Sequence, residues 1–109
     1  MIVDFQKMEE TVIPQFKGGA GCTIAKLRTD ELGKIMYGKL EPGSSIGLHT
    51  HDTSSEIIYI LSGKADFLYD EGTEEAAAGG CHYCPKGHTH SMINNGTEDL
   101  IFFAVVPEQ

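Results

Sequence analysis

Apolar and polar residues alternate in short segments along most of this chain, and turn-forming residues separate the segments. Such alternation is typical of β-strands, in which successive side chains point to opposite faces. Segments at intervals of about eight to twelve residues indicate an all-β sandwich or barrel. The predicted strands are Cys22–Arg28, Lys34–Glu41, a segment that ends in His49 and His51, Glu56–Leu61, Lys64–Tyr69, Cys81–Cys84, His88–Ile93 and Leu100–Val106.

Two connecting segments carry their own signals. Residues 74–78 have the composition of a helix but are too short to form one, and we expect Glu74 and Glu75 to be solvated. Residues 94–96 join the last two strands and include the Asn-Gly pair that tight hairpins favour. We therefore predict a tight turn between these two strands.

The segment Glu56–Leu61 is apolar on both faces of its predicted strand. One face carries Glu56, Ile58 and Ile60, and the other carries Ile57, Tyr59 and Leu61. A strand of this kind is expected to be covered on both sides. The outer face then requires either the N-terminal segment or a second subunit, and we expect a homodimer formed by sheets.

Length and charge limit the possible partners. A chain of 109 residues is one domain by length, and its formal net charge of −8 is scattered rather than collected in a tail. This balance disfavours nucleic acids and anionic membrane surfaces, which attract basic patches. The single arginine, Arg28, excludes a clamp of several arginines for a highly anionic substrate.

The N-terminus and the cysteines indicate a compartment. Residues 1–6 lack the basic region and apolar run of a signal peptide, and no stretch approaches membrane-spanning length. Three cysteines, an odd number, favour reduced thiols over a disulfide framework. We therefore expect a cytoplasmic protein.

Three histidines and one glutamate occur at spacings that strands can combine into one metal site. His49 and His51 are two residues apart, so their imidazoles lie on one face of a strand. The polar residues 52–55 favour a chain reversal that turns Glu56 toward the same interior, and His90 lies on a later strand. Three neutral nitrogens and one carboxylate suit a first-row divalent ion, and leave an octahedral ion two free positions.

His88 is the candidate for a nearby acid or base, because it shares the strand parity of His90. Its side chain points either into the cavity or into water at the rim. The pocket beside the metal is expected to be mostly apolar and to include Ile58, Ile60 and Met92, whose parity matches the ligands.

A second possible metal site involves the cysteines. Cys81 and Cys84, followed by His88 and His90, imitate a zinc-binding spacing. Residues three apart on a strand face opposite ways, however, so the two thiols are not expected to converge. A buried apolar role for Cys81 or Cys84 is the better prediction.

These residues resemble the two sequence motifs of the cupins. The first motif, within residues 43–63, is Gly43-x5-His49-x-His51-x4-Glu56-x6-Gly63. The second, within residues 79–94, is Gly79-x5-Pro85-x-Gly87-x2-His90-x3-Asn94. Gly80 departs from many relatives, which carry aspartate there, and this affects the local turn rather than the metal site.

The resemblance implies a single cupin domain over residues 1–109, folded as a double-stranded β-helix or jelly-roll barrel. It also implies that His49, His51, Glu56 and His90 bind one ion, which is manganese, iron, nickel, copper or zinc.

Cupin functions are diverse, so the resemblance does not settle the reaction. It favours a metal-dependent enzyme acting on a small organic molecule, of dioxygenase, decarboxylase, lyase or isomerase type. The alternative is a module that binds or senses a metal and a small ligand without turnover. Sensor cupins are commonly fused to a helical DNA-binding domain, and no such segment occurs in these 109 residues.

Overall fold

The computed structural model describes residues 1–109 as two antiparallel β-sheets packed around one core. The larger sheet contains, in spatial order, β1 (Thr11–Pro14), β2 (Cys22–Asp30), β3 (Gly33–Leu40), β10 (Leu100–Pro107), β5 (Glu56–Ser62) and β8 (Cys81–Cys84). The smaller sheet contains β4 (Ser45–Thr50), β9 (Thr89–Ile93), β6 (Lys64–Tyr69) and β7 (Gly72–Ala77). Short 3-10 turns lie at Phe5–Lys7 and Phe16–Gly18. The predicted all-β jelly roll is confirmed. None of the helical segments could span a membrane.

The core consists of the inward-facing side chains of both sheets. Phe102 on β10 is fully buried and lies opposite Gly38 on β3. A methyl group added at Gly38 would overlap the Phe102 ring, so the glycine provides the space that the ring occupies. The other buried hydrophobic residues of this cluster are Ala25, Met36, Leu40, Ile46, Ile58, Ile60, Ala65, Phe67, Met92, Leu100 and Ala104.

The segment with helix-like composition forms part of strand β7. Its partner is β6, and the turn between them contains Asp70 in a left-handed conformation with φ 51°. Cross-strand pairing therefore overrides local propensity. β7 is an edge strand with mostly exposed side chains, and its acidic residues discourage pairing with another chain.

The prediction of a tight hairpin between the last two strands is wrong. β9 belongs to the smaller sheet and β10 to the larger one, so the connection crosses between sheets. Asn94 is buried at this crossing, and its side-chain amide donates to the carbonyl oxygens of Leu40 (2.8 Å) and Glu98 (2.9 Å). The first bond ties the crossing to strand β3, and the second closes the loop itself.

The N-terminal segment covers only part of the outer face of the larger sheet. Phe5 packs on Tyr37 of β3 and Phe103 of β10, with ring centroids 5.8 and 6.0 Å apart. β1 pairs with β2, at the edge of the sheet far from β5. The outer side chains of β5 remain exposed: Ile57 (39%), Tyr59 (43%) and Leu61 (42%).

Candidate metal centre

The four residues that the sequence predicted to form one metal site lie close together between the two sheets. His49 on β4 lies directly opposite His90 on β9, beside an irregularity in their pairing. His51 follows the end of β4, and its backbone N–H donates to the carbonyl of His88 (3.0 Å). Glu56 is the first residue of β5, in the larger sheet. Their nearest ligand atoms all lie within 4.8 Å of one another, so one ion can reach all four.

The distances between these atoms fit an octahedral ion. His51 Nε2 lies 2.9 Å from His90 Nε2, and Glu56 Oε1 lies 3.1 Å from the first and 3.0 Å from the second. Neighbouring ligand atoms are about 3.0 Å apart around an octahedral ion with bonds of about 2.1 Å, and about 3.4 Å apart around a tetrahedral one. These three of the six distances among the four ligand atoms are compatible with adjacent positions around one octahedral ion.

Hydrogen bonds at Nδ1 orient the imidazole rings of His49 and His51. His49 Nδ1 donates to the carbonyl oxygen of Gly47 (2.7 Å), and this leaves Nε2 without a proton. His51 Nδ1 forms a hydrogen bond with the hydroxyl of Ser54 (2.9 Å). Partners of this kind fix the orientation of histidines that bind metals.

The third histidine is held by His82, a residue that the motif analysis missed. His82 lies on β8, is buried, and places Nε2 3.0 Å from His90 Nδ1. Its Nδ1 lies 2.6 Å from Oε1 of Glu74, which is therefore not simply solvated. Strand alternation could have indicated its inward orientation, because His82 lies two residues from the buried Cys84 and therefore on the same face of β8.

The ionisation of the cluster suits a cation. Burial raises the pKa of Glu56, but hydrogen bonds from His51 and His90 lower it by more and leave a pKa of about 2. A bound cation would replace the protons of these two nitrogens and favour the ionised carboxylate in the same way. Burial lowers the pKa of His49 below its usual range. At neutral pH the site thus offers an ionised carboxylate and a neutral imidazole, as metal binding requires.

A cavity of about 500 Å³ opens beside the cluster and is more polar than predicted. Only four of the seventeen residues around it are hydrophobic, namely Phe16, Met36, Ile46 and Val106. Ile58, Ile60 and Met92, which parity placed in the pocket, instead pack in the core. The cavity wall comes largely from strand ends and loops, where polar residues predominate.

Two lysines stand in the wall of this cavity. The Nζ atoms of Lys34 and Lys17 lie 5.3 and 5.7 Å from the centroid of the Phe16 ring. Neither ammonium group forms an ion pair with a carboxylate. Burial lowers the pKa of Lys34, the charge of Glu56 opposes this shift, and Lys17 adds to it. The cavity therefore combines a candidate metal site with a cation available to an anionic ligand.

His88 points into water at the rim rather than into the cavity, which is the second of the two positions predicted from the sequence. Its imidazole is partly exposed, places Nδ1 2.6 Å from Oδ2 of Asp70, and stacks on Tyr69. It does not line the cavity. The pKa of Asp70 is lowered by the backbone N–H of Thr89 and by His88. This geometry supports a role for the His88 side chain at the β6–β9 surface rather than at the cluster.

The two cysteines face opposite ways, as predicted. Cys81 is exposed and Cys84 is buried, and neither belongs to the metal-binding cluster. Burial raises the pKa of Cys84 to about 11, so its thiol stays protonated at neutral pH.

A family profile for the cupin domain matches residues 36–106, which is more than half of the sequence. The chain belongs to the cupin family. A curated relative, described as an oxalate-binding protein of Thermotoga maritima, is 45% identical over 69 residues, or 62% of this chain. The match covers 56% of that relative, so this cupin is aligned with little more than half of its length.

Solved structures show the same fold. The crystal structure of a predicted oxalate decarboxylase from Thermotoga maritima is 30% identical, covers the whole of both chains and has a TM-score of 0.93. Bacillus subtilis oxalate decarboxylase, studied for its Mn(II) centres, is 24% identical with a TM-score of 0.69. It is matched over 78% of this cupin and 26% of its own chain, and it supports the fold alone.

Proposed function

We propose that this cupin binds a divalent transition metal through His49, His51, Glu56 and His90, and that the ion binds a small dicarboxylate of the oxalate class. The observation that carries the proposal is the shared cavity, which is lined by three of these residues and by the unpaired ammonium group of Lys34. Three imidazoles and one carboxylate suit a first-row divalent ion, such as manganese, iron or nickel.

Two ammonium groups near the candidate metal site support a dicarboxylate ligand. Glu56 reduces a divalent cation to one net positive charge, and Lys34 and Lys17 stand in the same cavity wall, which also contains the carboxylates of Asp30, Asp52 and Glu108. One carboxylate can bind the ion while the other accepts hydrogen bonds from an ammonium group. The description of the Thermotoga maritima relative as oxalate-binding supports the same ligand class.

Turnover is the first of two functions that fit this site, and decarboxylation is the reaction we propose. When bound, the ion acts as a Lewis acid that polarises the carboxylate. Lys34 supports turnover as a candidate proton donor, because it stands in the cavity wall and burial lowers its pKa. The alternative is binding without conversion, which the description of the oxalate-binding relative favours.

Calorimetry on protein of known metal content tests the proposal. Elemental analysis after purification without added metal identifies the resident ion, and oxalate is then titrated into metal-free and manganese-loaded protein. We expect binding only to the loaded form, with acetate much weaker. Lys34→Met should weaken oxalate binding, whereas Lys64→Met should not, because Lys64 is exposed and paired with Glu75. Equal binding to the metal-free protein would contradict the proposal.

Product analysis separates the two functions. A decarboxylase converts each hydrogen oxalate ion into one formate and one carbon dioxide, with the oxalate proton ending on formate carbon. Equal amounts of the two products from the loaded protein would establish turnover. Tight binding with no product after long incubation would establish the binding module.

We further propose that the chain forms a homodimer through the outer face of β5. Ile57, Tyr59 and Leu61 are each about two-fifths exposed, and Tyr83, opposite Ile57 on β8, is 55% exposed. A contiguous apolar surface of this kind commonly marks an interface.

A cytoplasmic location remains a prediction from the sequence.

A further inference from the structure

A chain of hydrogen bonds leads from the protein surface to the back of His90. Glu74 on the edge strand β7 has a side chain that is 48% exposed, and its Oε1 lies 2.6 Å from His82 Nδ1. His82 Nε2 lies 3.0 Å from His90 Nδ1. His82 belongs to the larger sheet and the other two residues to the smaller one. One buried ring thus links a surface carboxylate to a candidate metal ligand.

The protons in this chain can be placed in one consistent way. The Glu74 carboxylate accepts the hydrogen bond at His82 Nδ1, so this nitrogen carries the proton. In a neutral imidazole the other nitrogen is an acceptor, so His82 Nε2 accepts the hydrogen bond between the two rings. The N–H between the two rings must then belong to His90 Nδ1. His90 Nε2 is left with a free lone pair, 3.0 Å from Glu56 Oε1.

Packing holds the rings in the plane that these bonds need. The planes of His82 and His90 differ by 14° and their centroids lie 5.2 Å apart, so the N–H between the two rings lies close to the plane of the accepting ring. Phe67 stacks on His82 with centroids 3.9 Å apart, and Tyr69 meets its edge at 89°. His82 cannot rotate without losing this stack and both hydrogen bonds.

We propose that Glu74 and His82 are positioning residues, which hold His90 in the tautomer that binds metal and strengthen its Nε2 as a ligand. The inference rests on the proposed metal site. Neither Glu74 nor His82 belongs to the four-residue cluster. A carboxylate behind a metal-binding histidine increases the basicity of that ligand. Here the effect passes through a second imidazole and begins at a surface residue.

Three variants, each loaded with manganese in the absence of oxalate, test the proposal. His82→Phe keeps a flat ring on Phe67 and removes both hydrogen bonds. Glu74→Gln removes the charge and keeps the shape of the side chain. Glu75→Gln is the matched control, because Glu75 neighbours Glu74 and pairs with Lys64 at 3.3 Å. The measurements are the Mn(II) dissociation constant and the zero-field splitting of bound Mn(II) by electron paramagnetic resonance.

We expect His82→Phe to weaken Mn(II) binding by about 10–100-fold and Glu74→Gln by a smaller factor. Both should alter the zero-field splitting, and Glu75→Gln should match the wild type. Wild-type affinity and spectra in both test variants would overturn the positioning role alone. Absence of Mn(II) binding by the wild type would overturn the metal site itself. If His82→Phe fails to fold by circular dichroism, Glu74→Gln decides the question.

Discussion

His49 and His90 face each other across strands β4 and β9, with ring centroids 4.7 Å apart and ring planes inclined by 62°. His51 has nearly the same relation to each of them, at 4.9 and 4.8 Å. The three imidazoles are therefore arranged like blades around one point. Such an arrangement would leave one side of a bound ion for Glu56 and for a small molecule in the cavity.

Replacement of His51 by alanine should reduce the metal content at least tenfold, because one imidazole of the cluster is lost. The domain should stay folded, since the apolar core is built around residues such as Phe67 and Phe102. Elemental analysis and circular dichroism measure the two effects. His88→Gln is the control and should keep its metal, because His88 lies outside the cluster. Full metal occupancy in His51→Ala would refute the ligand assignment.

Oxalate affinity should fall as the pH rises from neutral through the lowered pKa of Lys34. The ammonium group attracts the dianion only while it is protonated, so the loss begins below the ordinary lysine pKa of about 10.4. Calorimetry of manganese-loaded protein between about pH 7 and pH 10 measures the change.

The substitution Lys34→Arg separates this effect from the pH dependence of the metal. A guanidinium group keeps its charge throughout the range, so the variant should retain more of its affinity at alkaline pH. Parallel pH profiles for wild type and Lys34→Arg would show that Lys34 does not control ligand binding.

The substitution Gly38→Ala should lower the free energy of unfolding by about 1–3 kcal/mol, because the new methyl group overlaps the Phe102 ring in a closely packed core. Gly72→Ala is the matched control. The nearest atom to its added methyl group is the Tyr69 carbonyl oxygen at 3.7 Å, an ordinary contact. Urea denaturation compares the two variants, and an equal effect of both would exclude the steric explanation.

The substitution Tyr59→Lys should convert the proposed dimer into a monomer, because it places a charge in the outer face of β5. Leu48→Lys is the control, since Leu48 is also hydrophobic and 57% exposed but lies on β4 in the other sheet. Sedimentation velocity at micromolar concentration gives the mass of each form. A wild-type protein that sediments as a monomer would contradict the prediction.

The sequence by itself determined most of the strands and the composition of the candidate metal-binding cluster. Alternation along Glu56–Leu61 or Lys64–Tyr69 reflects the faces of one strand, and a strand's two faces are a local property. The distance between His49 and His51 follows from the same geometry. Even the opposite orientations of Cys81 and Cys84 were predictable, because they require no knowledge of the rest of the fold.

Only the tertiary structure decided which strands face each other across the barrel. His82 reaches His90 from the opposite sheet, and Lys34 lines the cavity from a strand that carries no motif residue. Asn94 likewise binds Leu40, 54 residues away, and so directs the chain into the other sheet. These contacts bring together residues that are far apart in the sequence, so they depend on closing long loops around a shared core. The alternation of side chains along one strand carries no information about such contacts. Local geometry thus places the candidate metal ligands on common strand faces, while the packing of two sheets brings His82 to His90 and Lys34 to the cavity.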